Sequence, residues 1–382
     1  MDKLIISGNH KLNGSISVHG SKNSALPILV SSLLNEEKLT LTNIPDVDDI
    51  KNMIKLLKQY GSKIKKNKKS LIINNNKIKN ITADYDIVRK MRASVLILGP
   101  LLTKFGYAKI SLPGGCAIGT RPIDIHLHGL TKLGANFTIE NGFVIGRVKS
   151  RLIGNKIKLP FASVGATENI LMASVLAKGE TVIENVAKEP EIEDLGNCLI
   201  AMGAKIEGLG TSKIYVQGVS KLHKAEHKII SDRIVAGTYL ILAIMLKSQF
   251  EIKNFDPKHI SSLTKILKKM GCNFKILKNS VKVFPSSQLY SSNVETAPYP
   301  GFPTDLQAQL MSLMSIVNGN SQIKETVFEN RFMHVPELNR LGANIKLNKD
   351  KAYILGNQKF KGAQVMASDL RASVSLVLAA LC

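Results

Sequence analysis

Leu57-Lys58-Gln59-Tyr60-Gly61 recurs along the chain as Leu130-Thr131-Lys132-Leu133-Gly134, Leu199-Ile200-Ala201-Met202-Gly203, Leu267-Lys268-Lys269-Met270-Gly271 and Leu338-Asn339-Arg340-Leu341-Gly342. Each copy reads as the last turn of a helix closed by glycine, the residue that takes a left-handed conformation at least cost. A second pattern recurs with it, a small residue leading a Leu/Ile/Met-rich helix. It appears at Ala25-Leu26-Pro27-Ile28-Leu29, Ala93-Ser94-Val95-Leu96-Ile97-Leu98, Ala166-Thr167-Glu168-Asn169-Ile170-Leu171, Ala236-Gly237-Thr238-Tyr239-Leu240, Ala308-Gln309-Leu310-Met311 and Ala372-Ser373-Val374-Ser375-Leu376. The alanines stand roughly 70 residues apart, the mark of a repeated supersecondary unit. Short β-like runs lie between the helices, as at Lys38 to Leu41, Thr181 to Ile183 and Lys213 to Val216.

The unit reads strand, strand, helix, strand, helix. Six copies in 382 residues predict two α/β domains of three units, joined near Ile230 and Ser231. A sixth closing glycine would fall beyond Cys382, so the sixth unit is expected to lack a strand and a helix.

Apolar residues make up 44% of the chain, enough for two ordinary cores. The apolar runs, such as Tyr239 to Leu246, are too short to span a bilayer. The opening Met1-Asp2-Lys3-Leu4-Ile5-Ile6-Ser7-Gly8 has no signal-peptide core. Cys116, Cys198, Cys272 and Cys382 show no paired or metal-ligand spacing, which predicts a reduced cytoplasmic protein; neither a metal nor a cofactor is expected. The net charge of +23 raises nucleic acid as a partner. The lysines are scattered, however, and no basic stripe is interleaved with aromatics for base stacking. The one dense run, Lys63 to Lys69, reads as a solvated turn.

Three residues before each repeat alanine stand Lys22, Lys90, Ser163, Arg233, Asp305 and Asp369, and one residue before stand Arg92 and Arg371. These are first-turn positions. Asp305 and Asp369 read as ordinary caps. A cation there opposes the helix dipole at about 0.3–1 kcal/mol. Lys22, Arg92 and Arg371 therefore have no local reason to be basic. A helix N-terminus with added cations is an anion site.

Cys116 sits in Leu112-Pro113-Gly114-Gly115-Cys116-Ala117-Ile118-Gly119-Thr120-Arg121-Pro122, where glycine and proline exclude helix and regular strand. A thiol on such a loop beside Arg121 has the access and positive charge that reactive cysteines need. Glu189, Glu191, Glu193 and Asp194 read as capping and solvating a helix start, and His126 as a backbone-bonded loop residue. His334 reads as structural, and Cys198 and Cys272 as packing residues.

Several motifs in this order resemble the UDP-N-acetylglucosamine enolpyruvyl transferases of the EPSP synthase superfamily. The likeness runs along essentially the whole chain. It is carried by Gly20-Ser21-Lys22-Asn23-Ser24-Ala25-Leu26-Pro27, the Cys116 loop through Asp124-Ile125-His126, Ser163-Val164-Gly165-Ala166-Thr167, Glu189-Pro190-Glu191-Ile192 and Phe302-Pro303-Thr304-Asp305. Thr326-Val327-Phe328-Glu329-Asn330-Arg331-Phe332-Met333-His334-Val335-Pro336-Glu337-Leu338 and Asp369-Leu370-Arg371-Ala372-Ser373 complete it.

The resemblance implies a two-domain inside-out α/β barrel of six repeats. One domain would be residues 22–230 with the Cys116 loop, the other 1–21 plus 231–382. It implies transfer of the enolpyruvyl group of phosphoenolpyruvate to the 3-hydroxyl of UDP-N-acetylglucosamine, the first committed step of peptidoglycan synthesis, by a monomer with no membrane or nucleic-acid partner. Cys116 would be the proton donor, Asp305 the base, and Lys22 a catalytic cation. Lys22, Asn23 and Arg121 would hold the phosphate of phosphoenolpyruvate, and Arg331 and Arg371 its carboxylate. Arg92, Arg121, Pro122, Ile123, Asp124, Ile125, Phe161, Ala162, Ser163, Val164, Asp305 and Val327 would contact the nucleotide sugar. Phe161 stands where some family members carry lysine. The family's last segment supplies a further arginine beyond the position of Cys382, so reduced stability and turnover are expected. Two rivals remain at this level: a 3-phosphoshikimate 1-carboxyvinyltransferase, and a degraded paralogue that binds the UDP-sugar without turnover.

Overall fold

The computed structural model describes residues 3–67, 70–76, 78, 91–111, 123–367 and 369–382, with Arg92 as backbone only. They form two compact units, one of residues 3–18 and 231–382, the other of residues 19–111 and 123–230.

Helix composition decides the layering. Helix Lys22–Ser31 buries every residue from Ser24 onward, and Val164–Ser174 every residue from Ala166 onward. In the other unit, Gln307–Ile316 buries Gln307 through Ser315. A helix covered on all sides belongs inside. Helix Asp48–Gln59 instead buries only Ile50, Met53, Leu56 and Leu57, one face at helical spacing. The strands show one face to the core: Ala352 and Ile354 are buried in Lys351–Leu355 while Tyr353 and Leu355 are exposed. Helices thus lie inside and sheets outside. Each fully buried Leu or Ile contributes about 1.5–3 kcal/mol.

The sheets are small and separate, and among the described residues none closes into a barrel. In the unit of residues 19–230 the strand orders are Ala225–Lys228, Leu39–Thr42, Ser70–Asn74, Lys63–Lys66; then Lys156–Lys158, Glu180–Glu184, Lys213–Gln217, Lys205–Glu207; and Tyr107–Ser111, Phe143–Arg147, Asn136–Glu140. The other unit orders Asn13–Ser17, Gln249–Lys253, Ser280–Val283, Phe274–Ile276, and Val294–Glu295, Asn320–Lys324, Lys351–Leu355, Asn344–Asn348. Each four-stranded sheet joins one parallel pair to an antiparallel hairpin. The parallel edge strand precedes an inner helix and adds one strand to the repeat read from sequence. At Lys156–Lys158 and Val294–Glu295 it is too short for alternation to reveal it.

Two edge strands pair far along the chain. Asn13–Ser17 lies parallel to Gln249–Lys253, and Ala225–Lys228 parallel to Leu39–Thr42. Each unit is therefore completed by a strand distant in sequence from its partner.

The repeated glycines end their helices identically. Gly61, Gly134, Gly203, Gly271 and Gly342 have φ between 84° and 104°. In the first copy Gly61 N–H donates to the Lys58 carbonyl and Ser62 N–H to that of Leu57. The same pair of bonds closes the other four copies, the Schellman arrangement that satisfies otherwise orphaned carbonyls. Gly99 has a different reason: a Cβ there would meet Asn169 O and Oδ1 at 2.5 Å. Buried Asn169 accepts from Gly99 N–H at 2.7 Å and donates to the Val95 carbonyl at 3.0 Å, fastening two inner helical segments together. The Lys63 run departs from its reading as a turn. Lys63–Lys66 is an outer strand whose lysines face water; residues 68 and 69 lie outside the described residues.

Candidate active site

Asp305 is the centre of the clearest polar cluster. It lies in the 3-10 turn Thr304–Leu306 that leads into the inner helix Gln307–Ile316. Its side chain does not cap that helix, contrary to the simple sequence reading. Arg331 Nη2 donates to Asp305 Oδ1 at 2.7 Å and Arg371 Nη2 to Oδ2 at 3.2 Å. The Arg331 side chain is only 5% exposed and Asp305 27%. An unpaired guanidinium so deeply placed would cost several kcal/mol, which the carboxylate offsets. The Phe328 ring lies 5.7 Å from the Arg331 guanidinium carbon and adds a cation–π contact. Arg371 is positioned by Asp369, a true N-cap that accepts from the backbone N–H groups of Arg371 and Ala372 at 2.8 and 3.2 Å. Val327, on the same loop as Arg331, is exposed.

The unit of residues 19–230 holds another set. Lys22 opens helix Lys22–Ser31, which Ser21 caps, and Asn23 follows it. Lys22 Nζ donates to Asp49 Oδ2 at 2.8 Å. That contact is partly solvated and contributes about 0.2–1 kcal/mol, so it only balances the unfavourable dipole term.

The start of this helix is anchored from below. Ser24 Oγ donates to Asp194 Oδ2, the Asp194 carboxylate contacts His227 Nε2 at 2.8 Å, and it accepts Ile230 N–H at 3.2 Å. Ser21 N–H donates to the Ile230 carbonyl at 2.7 Å.

Ser163 caps helix Val164–Ser174 by accepting from Ala166 N–H. Phe161 is 58% exposed just before it, with Ala162 between. Asp124 opens helix Asp124–Lys132, with Ile123 and Ile125 largely buried on either side. Arg92 begins the 3-10 segment Arg92–Ile97, as a first-turn position should. Cys116, Arg121, Pro122 and Lys90 lie outside the described residues.

Three polar readings change. Glu191 and Asp194 are not a solvated helix start: each is 3% exposed. Glu168 is buried near Glu191 and Glu189. Burial first, then those two charges, holds its carboxyl well above the ordinary range. It was hidden within the apolar pattern Ala166 to Leu171. His126 is helical and pairs through Nδ1 with Asn169 Nδ2 at 3.1 Å. His334 is buried with Nε2 3.2 Å from the Met311 sulfur, and burial lowers its pKa to about 4. Cys198 and Cys272 are buried; burial raises both thiols, Cys272 to about 12. Among the described residues no group of His, Cys, Asp and Glu could hold a metal ion, and no helix is long and apolar enough to cross a membrane.

Residues 6–382 match the family model of EPSP synthase (3-phosphoshikimate 1-carboxyvinyltransferase). The chain is 52% identical over 381 residues to the UDP-N-acetylglucosamine 1-carboxyvinyltransferase of Pelagibacter ubique, covering all of this chain and 91% of that one. It is 51% identical over 385 residues to the enzyme of the same name from Rickettsia canadensis, covering all of this chain and 92% of that one. The enolpyruvyl transferase NikO from Streptomyces tendae superposes with a TM-score of 0.89 over 98% of this chain and 90% of its own, at 22% identity. EPSP synthase from Acinetobacter baumannii does so with a TM-score of 0.75 over 99% and 91%, at 20% identity. These two structures establish the fold, and the sequence identities establish the closer kinship. The chain belongs to the EPSP synthase family and, within it, to the UDP-N-acetylglucosamine 1-carboxyvinyltransferases.

Proposed function

We propose that this protein transfers the enolpyruvyl group of phosphoenolpyruvate to the 3-hydroxyl of UDP-N-acetylglucosamine and releases phosphate. The observation that carries the proposal, beside kinship, is Asp305 held by Arg331 and Arg371. The reaction needs a carboxylate to accept the hydroxyl proton and guanidinium forks to seat the carboxylate of phosphoenolpyruvate. These residues supply both.

Substitution at a vinyl carbon proceeds by addition and then elimination. A proton goes to the methylene carbon while the sugar oxygen bonds to the carbon bearing phosphate. Loss of a methyl proton and of phosphate then restores the double bond. Asp305 takes the hydroxyl proton in this scheme, and Cys116 delivers the proton to carbon. Lys22, Asn23 and Arg121 hold the phosphate. Arg92, residues 121–125, residues 161–164, Asp305 and Val327 hold the nucleotide sugar. The substrate carboxylate competes with Asp305 for the Arg331 and Arg371 N–H groups. Its arrival frees carboxylate oxygens for the sugar hydroxyl, which links base activation to occupancy. The same reading places the protein in the cytoplasm, as a monomer, at the entry to peptidoglycan synthesis.

Phosphate release from phosphoenolpyruvate tests it, with UDP-N-acetylglucosamine and shikimate 3-phosphate as alternative acceptors. Release with the sugar nucleotide alone is expected. Release only with shikimate 3-phosphate would transfer the protein to the other branch of the family. Binding of the sugar nucleotide without release would mark a degraded enzyme.

A further inference from the structure

We infer that Glu325 is a positioning residue that sets two parts of the site at once: the turn carrying Asp305 and the turn carrying Val327. The inference rests on the transferase reading above. Glu325 is 5% exposed at the end of strand Asn320–Lys324. Its carboxylate accepts four hydrogen bonds. Oε1 takes Thr296 Oγ1 at 2.9 Å, Val327 N–H at 2.9 Å and Phe328 N–H at 3.3 Å. Oε2 takes Thr304 Oγ1 at 2.8 Å. A carboxylate offers about four lone-pair sites, and here Oε1 gathers three donors while Oε2 takes one.

The donors belong to two different loops. Thr304 immediately precedes Asp305. Val327 and Phe328 begin the loop that carries Arg331, and Phe328 stacks on that arginine. Thr296 fixes the geometry further. Its hydroxyl donates to Glu325 while accepting from Thr326 N–H at 2.9 Å, so its proton can point only one way. Thr326 Oγ1 donates in turn to the Thr296 carbonyl at 2.5 Å. An interior carboxylate serving two loops that each carry a reacting or binding group is more than packing requires. A hydrocarbon in the same space would leave all four donors without an acceptor.

Three variants test this, by phosphate release at varied UDP-N-acetylglucosamine and by calorimetry. Glu325→Ala leaves four donors without their acceptor; KM for the sugar nucleotide is expected to rise, and kcat to fall, each about tenfold. Glu325→Gln can keep its oxygen toward Val327 and Phe328 and turn its amide toward Thr304, whose hydroxyl can reverse and accept. It should recover most of the KM change. Thr304→Val cuts only the link to the Asp305 turn, and should lower kcat while KM stays within about twofold. A merely structural role would not separate KM from kcat in this way. Both constants within about threefold of wild type in Glu325→Ala would overturn the inference. So would parallel losses of both constants in Glu325→Gln and Thr304→Val. Those two variants carry the test if the alanine variant does not fold. Wild-type protein that binds the sugar nucleotide without releasing phosphate removes the transfer reading alone. The inference is then decided by whether Glu325→Ala weakens that binding. Wild-type protein that does neither overturns both.

Discussion

Arg331 donates to Asp305 across 2.7 Å, although the two stand 26 residues apart and on different elements. One is a buried cation, the other a partly exposed anion in a helical turn. Arg371 completes the cluster from the start of a third element. Asp305→Asn keeps one oxygen acceptor but loses the base. We expect phosphate release to fall at least about a hundredfold, the usual worth of a general base. Affinity for phosphoenolpyruvate should hold or improve, because the guanidiniums lose an internal competitor. Rates within about threefold of wild type would exclude Asp305 as the base.

Cys116 carries the proposed proton delivery to carbon. Cys116→Ser keeps the size of the side chain but replaces the thiol by a far weaker acid. Turnover should fall at least about a hundredfold while calorimetry still detects UDP-N-acetylglucosamine binding. Undiminished phosphate release would remove the thiol from the mechanism.

His334 makes acid stability asymmetric. Its folded pKa is about 4, against the ordinary 6.5, chiefly through burial. Between those values the unfolded chain holds a proton that the folded chain does not, so stability is lost as pH falls from 6.5 toward 4 and is intact above 6.5. The full loss is about 3 kcal/mol at most. Denaturant titrations of wild type and His334→Gln should diverge in slope across that window, with the variant flatter. Equal slopes would show that the histidine protonates freely in the folded state.

Glu168 has the opposite sign. Its folded pKa is raised by burial and by Glu191 and Glu189. The folded state therefore keeps a proton that the unfolded state releases above its ordinary pKa, and stability declines with rising pH until the folded pKa is passed. Glu168→Gln supplies the neutral form permanently. Its melting temperature should exceed that of wild type at pH 8 and approach it near pH 4.5. A variant less stable than wild type at pH 8 would mean that the ionised carboxylate has an internal partner.

Much of the architecture was legible because it repeats. A glycine forced to positive φ and an apolar run buried on every side both leave marks in residue type. Among the parallel edge strands, Lys156–Lys158 and Val294–Glu295 left none: two or three residues cannot display alternation. The longer Asn13–Ser17 was hidden for another reason: its pairing with Gln249–Lys253 joins segments more than two hundred positions apart. The burial of Glu191 and Asp194 was equally hidden. Each looks like a surface carboxylate until its surroundings are known, and the groups that stabilise Asp194 come from two distant segments, the Ser24 hydroxyl from one and the His227 imidazole and Ile230 N–H from the other.

From residue order alone came the six repeats, the cationic first turns at Lys22, Arg92 and Arg371, and the motifs that joined the chain to its family. Local conformational preference and side-chain chemistry are written directly in the sequence. Only the tertiary structure decided that Asp305 is an ion-pair centre rather than a helix cap, and that Glu325 satisfies two loops at once. Those outcomes depend on which distant donors meet a carboxylate once water is excluded, and nothing in the spacing of residues along the chain specifies that meeting.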